Sequence, residues 1–179
     1  MEIKKIHQIL VSGGVIAYPT ESVFGLGCDP SNEQAILKIM EIKKRKLEMG
    51  LILLTPSLEI VSDWVNMNDK QIRIFSSPSP RPTTYIVPAS VCAPKWLVVK
   101  NTLAIRLSKD PFIKNICGML GLPIVSTSAN LQGEQPCRSA DEVEKIMGSK
   151  LDYIVFKKTG SFNNPSTIVD LSSGKTIRS

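Results

Sequence analysis

Three stretches of this chain place polar groups at or near the ends of apolar runs, where a fold can bring them together. Ser126-Thr127-Ser128-Ala129-Asn130 follows Pro123-Ile124-Val125 and offers three hydroxyls and an amide within five residues. Each of those groups can donate to an anionic oxygen. The same composition suits a turn in which Ser and Asn bond their own backbone, and on composition alone that reading is the stronger. Tyr18-Pro19-Thr20-Glu21 ends the apolar run that starts at Val15, and Arg106 lies in Leu103-Ala104-Ile105-Arg106-Leu107. Parallel strands would bring these three ends to one crevice. A fourth feature, Lys43-Lys44-Arg45-Lys46, closes a helical pattern, where cations complement the helix dipole and ordinarily stay solvated.

The residues that are scarce narrow the chemistry further. There is one histidine, His7, on an amphipathic helical pattern, so a histidine-built zinc site is excluded and no nucleophile elbow accompanies it. Cys28, Cys92, Cys117 and Cys137 form no CxxC pair and read as scattered reduced thiols. Neither GxxxxGK[ST] nor a GxGxxG after a strand occurs. What remains is cations with hydroxyl and amide donors, and little to shuttle protons. That inventory fits chemistry driven by alignment of reactants and neutralisation of phosphate charge. The net charge of +6, from 22 Lys and Arg against 16 Asp and Glu, points the same way, toward a phosphate-rich partner.

The elements that must position these groups follow from periodicity. The chain has 179 residues, 42% of them hydrophobic, which favours a single domain over 1–179. Ile3, Ile6, Ile9 and Leu10 give a first helix stopped at Gly13-Gly14. Val15–Tyr18 reads as a buried strand, residues 20–30 as a glycine-containing loop, and Ser31 as the N-cap of a helix that runs into the lysines. Strands are expected at Leu51–Leu54, Thr84–Val87, Leu103–Leu107 and Ile124–Val125, and short helices at Leu58–Val65 and Asp69–Phe75. A helix at Pro111–Leu120 ends at Gly121, and Ser139 with Glu142 caps another that reaches Met147. Strands near Tyr153–Phe156, Thr167–Asp170 and Lys175–Ile177 complete an α/β fold whose sheet has some antiparallel members. No apolar run approaches the roughly 18–20 residues of a membrane span, and the N-terminal residues lack a secretory pattern, so the cytoplasm is the expected compartment.

Taken in order, GGVIAYPTESVFGLGCDP, KKR, LAIRL, PIVSTSANLQGEQPCRSADEV and NPSTIVD resemble the YrdC/TsaC family of threonylcarbamoyl-AMP synthases, in its short single-domain form. The resemblance runs from about Gly13 to Asp170. It implies a YrdC-like twisted mixed α/β sheet, flanked by helices, around a basic concave cavity. It also implies a nucleotidyltransferase reaction in which L-threonine and bicarbonate give a carbamate that attacks the α-phosphate of ATP. Pyrophosphate leaves, with Mg2+ expected on the nucleotide and no protein metal site. Partner proteins of tRNA modification then transfer the threonylcarbamoyl group to a tRNA adenosine. Because a carbamate is already an anion, the scarcity of histidine suits this reaction.

By the same resemblance, Lys43 and Arg45 are the expected catalytic residues, meeting the ATP phosphates or the carbamate. Thr84, Ser128, Asn130, Arg138 and Arg178 are expected with them on ATP, and Thr20, Ser128 and Ser166 on threonine. Arg106 matches a recurring arginine, with a structural ion pair as its equal alternative. Lys46 stands where the family commonly has proline, Met49 where a polar or basic residue often precedes Gly50, and Ser79-Pro80-Arg81-Pro82-Thr83-Thr84 where it has WPGPxT. Arg81 thereby becomes a candidate phosphate or RNA contact. An RNA-binding module of the same fold, without catalysis, is the alternative function, and a direct contact with tRNA or double-stranded RNA is left open.

Overall fold

The computed structural model describes residues 2–45, 50–160, 162 and 166–178. Lys46, Met49, Asn164 and Pro165, all singled out above, lie outside the described residues. The helices are α1 (Glu2–Val11), α2 (Glu33–Lys43), α3 (Asp69–Ser76), α4 (Pro111–Leu120) and α5 (Ala140–Met147). The strands are β1 (Ile16–Pro19), β2 (Phe24–Gly27), β3 (Ile52–Thr55), β4 (Thr83–Pro88), β5 (Thr102–Leu107), β6 (Ile124–Ser128), β7 (Tyr153–Ile154), β8 (Thr167–Asp170) and β9 (Thr176–Arg178). They form one mixed sheet in the order β7-β1-β2-β6-β3-β5-β4-β8-β9. β1/β7, β3/β5 and β4/β8 pair in parallel and the other neighbours antiparallel. No helix among the described residues is long and apolar enough to cross a membrane.

Three local readings are corrected. β2 occupies part of the expected 20–30 loop; its alternate residues are glycines, which carry no hydrophobic signal. Gly27 is required by close packing, since a Cβ there would lie 2.7 Å from both the Tyr18 ring and the Val125 carbonyl oxygen. The cap of α2 is Asn32, whose Oδ1 accepts from the Ala35 amide at 3.0 Å, while Ser31 donates its hydroxyl to Asp29 at 2.6 Å. Finally, β5 runs opposite to β1 and β6, so the carboxyl ends of the three strands do not share one edge.

Arg106 instead reaches the site by the period-two alternation of a strand, which sends successive side chains to opposite faces. Leu53, Leu103, Ile105 and Val125 join one buried cluster with residues of α2 and α5. On the opposite face α1 and α4 cover part of the sheet, packing Ile6, Leu10, Ile113 and Ile116 against Ile16, Tyr18, Leu54 and Ile124. Burial of each such side chain contributes about 1.5–3 kcal/mol. The remainder of that face, including Gly25, Ile52, Ala104, Arg106, Ser126 and Ser128, is left uncovered and floors a cavity.

Candidate functional site

This cavity has a volume of about 460 Å³, within the range of small-molecule sites. Arg45, Arg106 and Arg178 bring three guanidiniums to it, from the end of α2, from β5 and from β9. Thr20, Ser126, Thr127 and Ser128 add hydroxyls, and Ile52, Ile86, Leu97, Val99 and Ile168 form an apolar part of the wall. Among the described residues, none that lines the cavity is acidic. Burial lowers the pKa of Arg45, and burial followed by the charge of Arg106 lowers that of Arg178. An arginine so lowered remains a cation at neutral pH.

Lys43, expected among the residues that meet the substrate, does not line the cavity; it is bonded to the Ser128–Asn130 turn at its border. The end of α2 does not leave it in solvent: the residue is 2% exposed. Its ammonium donates to the Ser128 carbonyl, to the Asn130 carbonyl at 3.0 Å and to Asn130 Oδ1 at 2.9 Å. Those three bonds use the three protons of the group. Burial, with the charge of Arg45 second, pulls its pKa down from 10.5 to about 8. The next residue, Lys44, takes a left-handed conformation (φ 52°) that ends the helix, and the chain turns Arg45 toward the cavity, where its Nη2 donates to the Gly50 carbonyl at 3.3 Å.

Ser126–Asn130 divides between a turn and the cavity lining. Asn130 ties the turn: Oδ1 also accepts from Ser128 Oγ at 2.6 Å, and Nδ2 donates to the Leu131 and Glu134 carbonyls at 3.0 and 2.8 Å. Ser126, Thr127 and Ser128 line the cavity. Ser126 is on β6 two residues before Ser128 and therefore shares its face, a signal that alternation in the sequence already carried. The apolar wall carried no comparable signal, because Ile and Val there look like any buried strand.

On the far side, Ser166 lines the cavity and its Oγ is 2.9 Å from Thr84 Oγ1, both residues being buried. Arg178 donates to the Ser166 carbonyl through Nε at 3.2 Å and Nη2 at 2.8 Å, which fixes the direction of its guanidinium. Thr20 lines the opposite wall and donates its hydroxyl to the Val23 carbonyl at 2.8 Å. Arg106, 7% exposed, lies 3.3 Å from Glu21, so the ion pair and the cavity position occur together. Four expected residues stand outside the lining set: Lys43 and Asn130, bonded to each other beside Ser128; Thr84 behind Ser166; and Arg138, which is exposed at the start of α5. Arg81 is likewise exposed and outside it.

Among the described residues no three His, Cys, Asp or Glu side chains gather where a metal ion could be held. The four cysteines are free thiols; burial raises the pKa of Cys28 and pushes that of Cys117 up to about 12, which leaves neither as a thiolate near neutrality.

Comparisons with known proteins agree with this geometry. Residues 8–179 match the Sua5/YciO/YrdC family model, described as telomere recombination. The threonylcarbamoyl-AMP synthase of Haemophilus influenzae is 43% identical, over 99% of each chain, and that of Xanthomonas euvesicatoria is 39% identical over 99% of this chain and 97% of its own. Among solved structures, E. coli YciO superposes with a TM-score of 0.87 at 26% identity, covering 99% of this chain and 88% of that one. P. abyssi Sua5 complexed with L-threonine superposes with a TM-score of 0.86 at 25% identity, covering 96% of this chain. This chain spans about half of that Sua5 chain (51%). The fold, the sequence and the shared length agree, and the chain belongs to the Sua5/YciO/YrdC family.

Proposed function

We propose that this protein synthesises threonylcarbamoyl-AMP from L-threonine, bicarbonate and ATP, releasing pyrophosphate. The observation that carries the reading is a cavity lined, among the described residues, by three arginines, several hydroxyls and no carboxylate, in a chain that matches curated synthases over nearly its full length. Threonine's amine and bicarbonate give the carbamate with loss of water. A carbamate oxygen then attacks the α-phosphorus as the bond to the β-phosphate bridging oxygen breaks, and pyrophosphate carries away that electron pair. The nucleophile is already anionic, so the site's task is to align two negatively charged reactants and offset their repulsion.

Arg45, Arg106 and Arg178 supply that charge in a walled space where water screens it little. Ser126, Ser128, Ser166 and Thr20 face the reactants with hydroxyl groups. Lys43 and Asn130 act through the turn they hold, keeping Ser128 on the floor of the cavity. Thr84 supports Ser166 in the same way, and Arg138 stands ready at the exposed start of α5. Magnesium would enter with its substrate as MgATP.

The product is a mixed anhydride that hydrolyses readily, so a partner complex is needed to carry its acyl group to a tRNA adenosine, and the cytoplasm is the compartment we assign. The charge of +6 supports a direct contact with tRNA beside catalysis. A module that only binds RNA is less well supported, since a walled cavity of about 460 Å³ is shaped for small reactants and not for a duplex backbone. Incubation with labelled ATP, magnesium, threonine and bicarbonate tests the reading. Pyrophosphate release that requires both threonine and bicarbonate is expected, and release indifferent to either would overturn it.

A further inference from the structure

We propose that Glu21 is a positioning residue of this site: together with Ser108 it aims Arg106 so that the rest of the guanidinium receives an anionic oxygen of a substrate. The inference deepens the synthase reading and rests on it. A guanidinium as buried as that of Arg106 must be paired. Glu21 is its one ion-pair partner among the described residues, through Nη2 and Oε2 at 3.3 Å. The contact is loose: among the described residues neither Arg106 Nε nor Glu21 Oε2, both buried, makes a hydrogen bond, whereas a pair built for stability alone would use the two-pronged fork. Most of the five donors of the group are therefore uncommitted, on a residue that lines the cavity.

Glu21 is itself held from two directions. Its Oε1 accepts from Ser108 Oγ at 3.0 Å, just beyond the end of β5. Its carbonyl accepts from the Phe162 amide at 3.0 Å, and the preceding Thr20 carbonyl from the Gly160 amide at 2.9 Å. Gly160 packs so closely that a Cβ there would lie 2.6 Å from the Glu21 carbonyl oxygen. Such anchoring is more than one surface ion pair needs and suits a carboxylate that sets the angle of a neighbour. The anion is a carboxylate or a phosphate oxygen, carried by threonine or by ATP respectively.

The test compares wild type with Glu21→Gln, Ser108→Ala and the double variant. Calorimetric binding of threonine and of ATP is measured separately, along with KM and kcat from pyrophosphate release and the thermal midpoint. Glu21→Gln is expected to weaken binding of one substrate about tenfold and to change the other less than twofold. It should leave kcat within threefold and the midpoint within a few degrees. Ser108→Ala should weaken the same substrate about threefold, and the double variant should be no worse than Glu21→Gln. Unchanged or tighter binding in both single variants, with wild-type turnover intact, would overturn the proposal and leave the synthase reading standing. A general loss of stability with both affinities falling together would mark the pair as structural and overturn it too. Wild-type protein that binds neither substrate would overturn both.

Discussion

Replacing Lys43 with methionine keeps the length of the side chain and removes its three donors. In the folded protein the Ser128 and Asn130 carbonyls then lose a partner, and Asn130 Oδ1 keeps only Ser128 Oγ. A partly buried acceptor left without its donor costs about 1–1.5 kcal/mol, at the low end of the usual range because Ser128 and Asn130 are not fully enclosed. The Ser128 carbonyl keeps the Asn130 amide at 3.0 Å, so the loss falls on the Asn130 carbonyl, about 1–1.5 kcal/mol, and for a chain of this size that lowers Tm by roughly 2–6 °C. Relaxation of the turn by about 1 Å would also move Ser128 out of line and cost on the order of a hundredfold in turnover. Circular dichroism melting and pyrophosphate release, run on the same preparation, read the two effects. Activity lost with Tm within about 1 °C of wild type would refute the argument, because it would mean that the ammonium serves the substrate and not the turn.

Arg45→Ala is expected to behave differently: its guanidinium lines the cavity and is only half-buried, so Tm should stay within a few degrees while turnover falls by two orders of magnitude or more, as melting and kinetics would show. The Lys43 proton gives a pH signature. The folded group titrates near 8 and the unfolded one near 10.5, so between those values the unfolded chain binds more protons and this group's contribution to stability rises with pH. Activity should move the other way, falling above about pH 8 as one donor is lost. In Lys43→Arg that alkaline limb should shift upward by a unit or more, and identical kcat/KM profiles for the two proteins would exclude the lysine as its source. Gly27→Ala should cost about 2–3 kcal/mol in urea unfolding, since its methyl group meets a ring and a backbone oxygen that cannot both retreat; a wild-type midpoint would contradict the packing.

Much of the architecture was legible because its signals are local. Asp110-Pro111 opens α4 and Gly121 closes it, Ser139 caps α5, and the β-branched runs of β3 to β6 mark themselves. The fate of the lysine cluster was not legible. Whether Lys43 faces solvent or the interior depends on β6 lying beside the end of α2, a contact between residues 85 apart in sequence. Strand direction was hidden for the same reason: Arg106 lines the cavity, yet it arrives through the face of the sheet and not at a strand end. β2 escaped notice because Gly25 and Gly27 replace the side chains that would have announced it. The Ser126–Asn130 segment divided between two roles that composition cannot separate, since a serine that lines a cavity and an asparagine that ties a turn are drawn from the same small set of residues.

The uncovered half of the sheet has a consequence for how this chain can change. Arg106 and Ile105, or Ser126 and Val125, are consecutive residues, and adjacent strand positions point to opposite sides. Deletion or insertion of one residue within β5 or β6 would therefore turn the guanidinium or the hydroxyl toward the interior and send an aliphatic group into the reactant space. Length variation among descendants of this sequence is confined to the connecting segments, and the central strands are open only to exchange of one side chain for another.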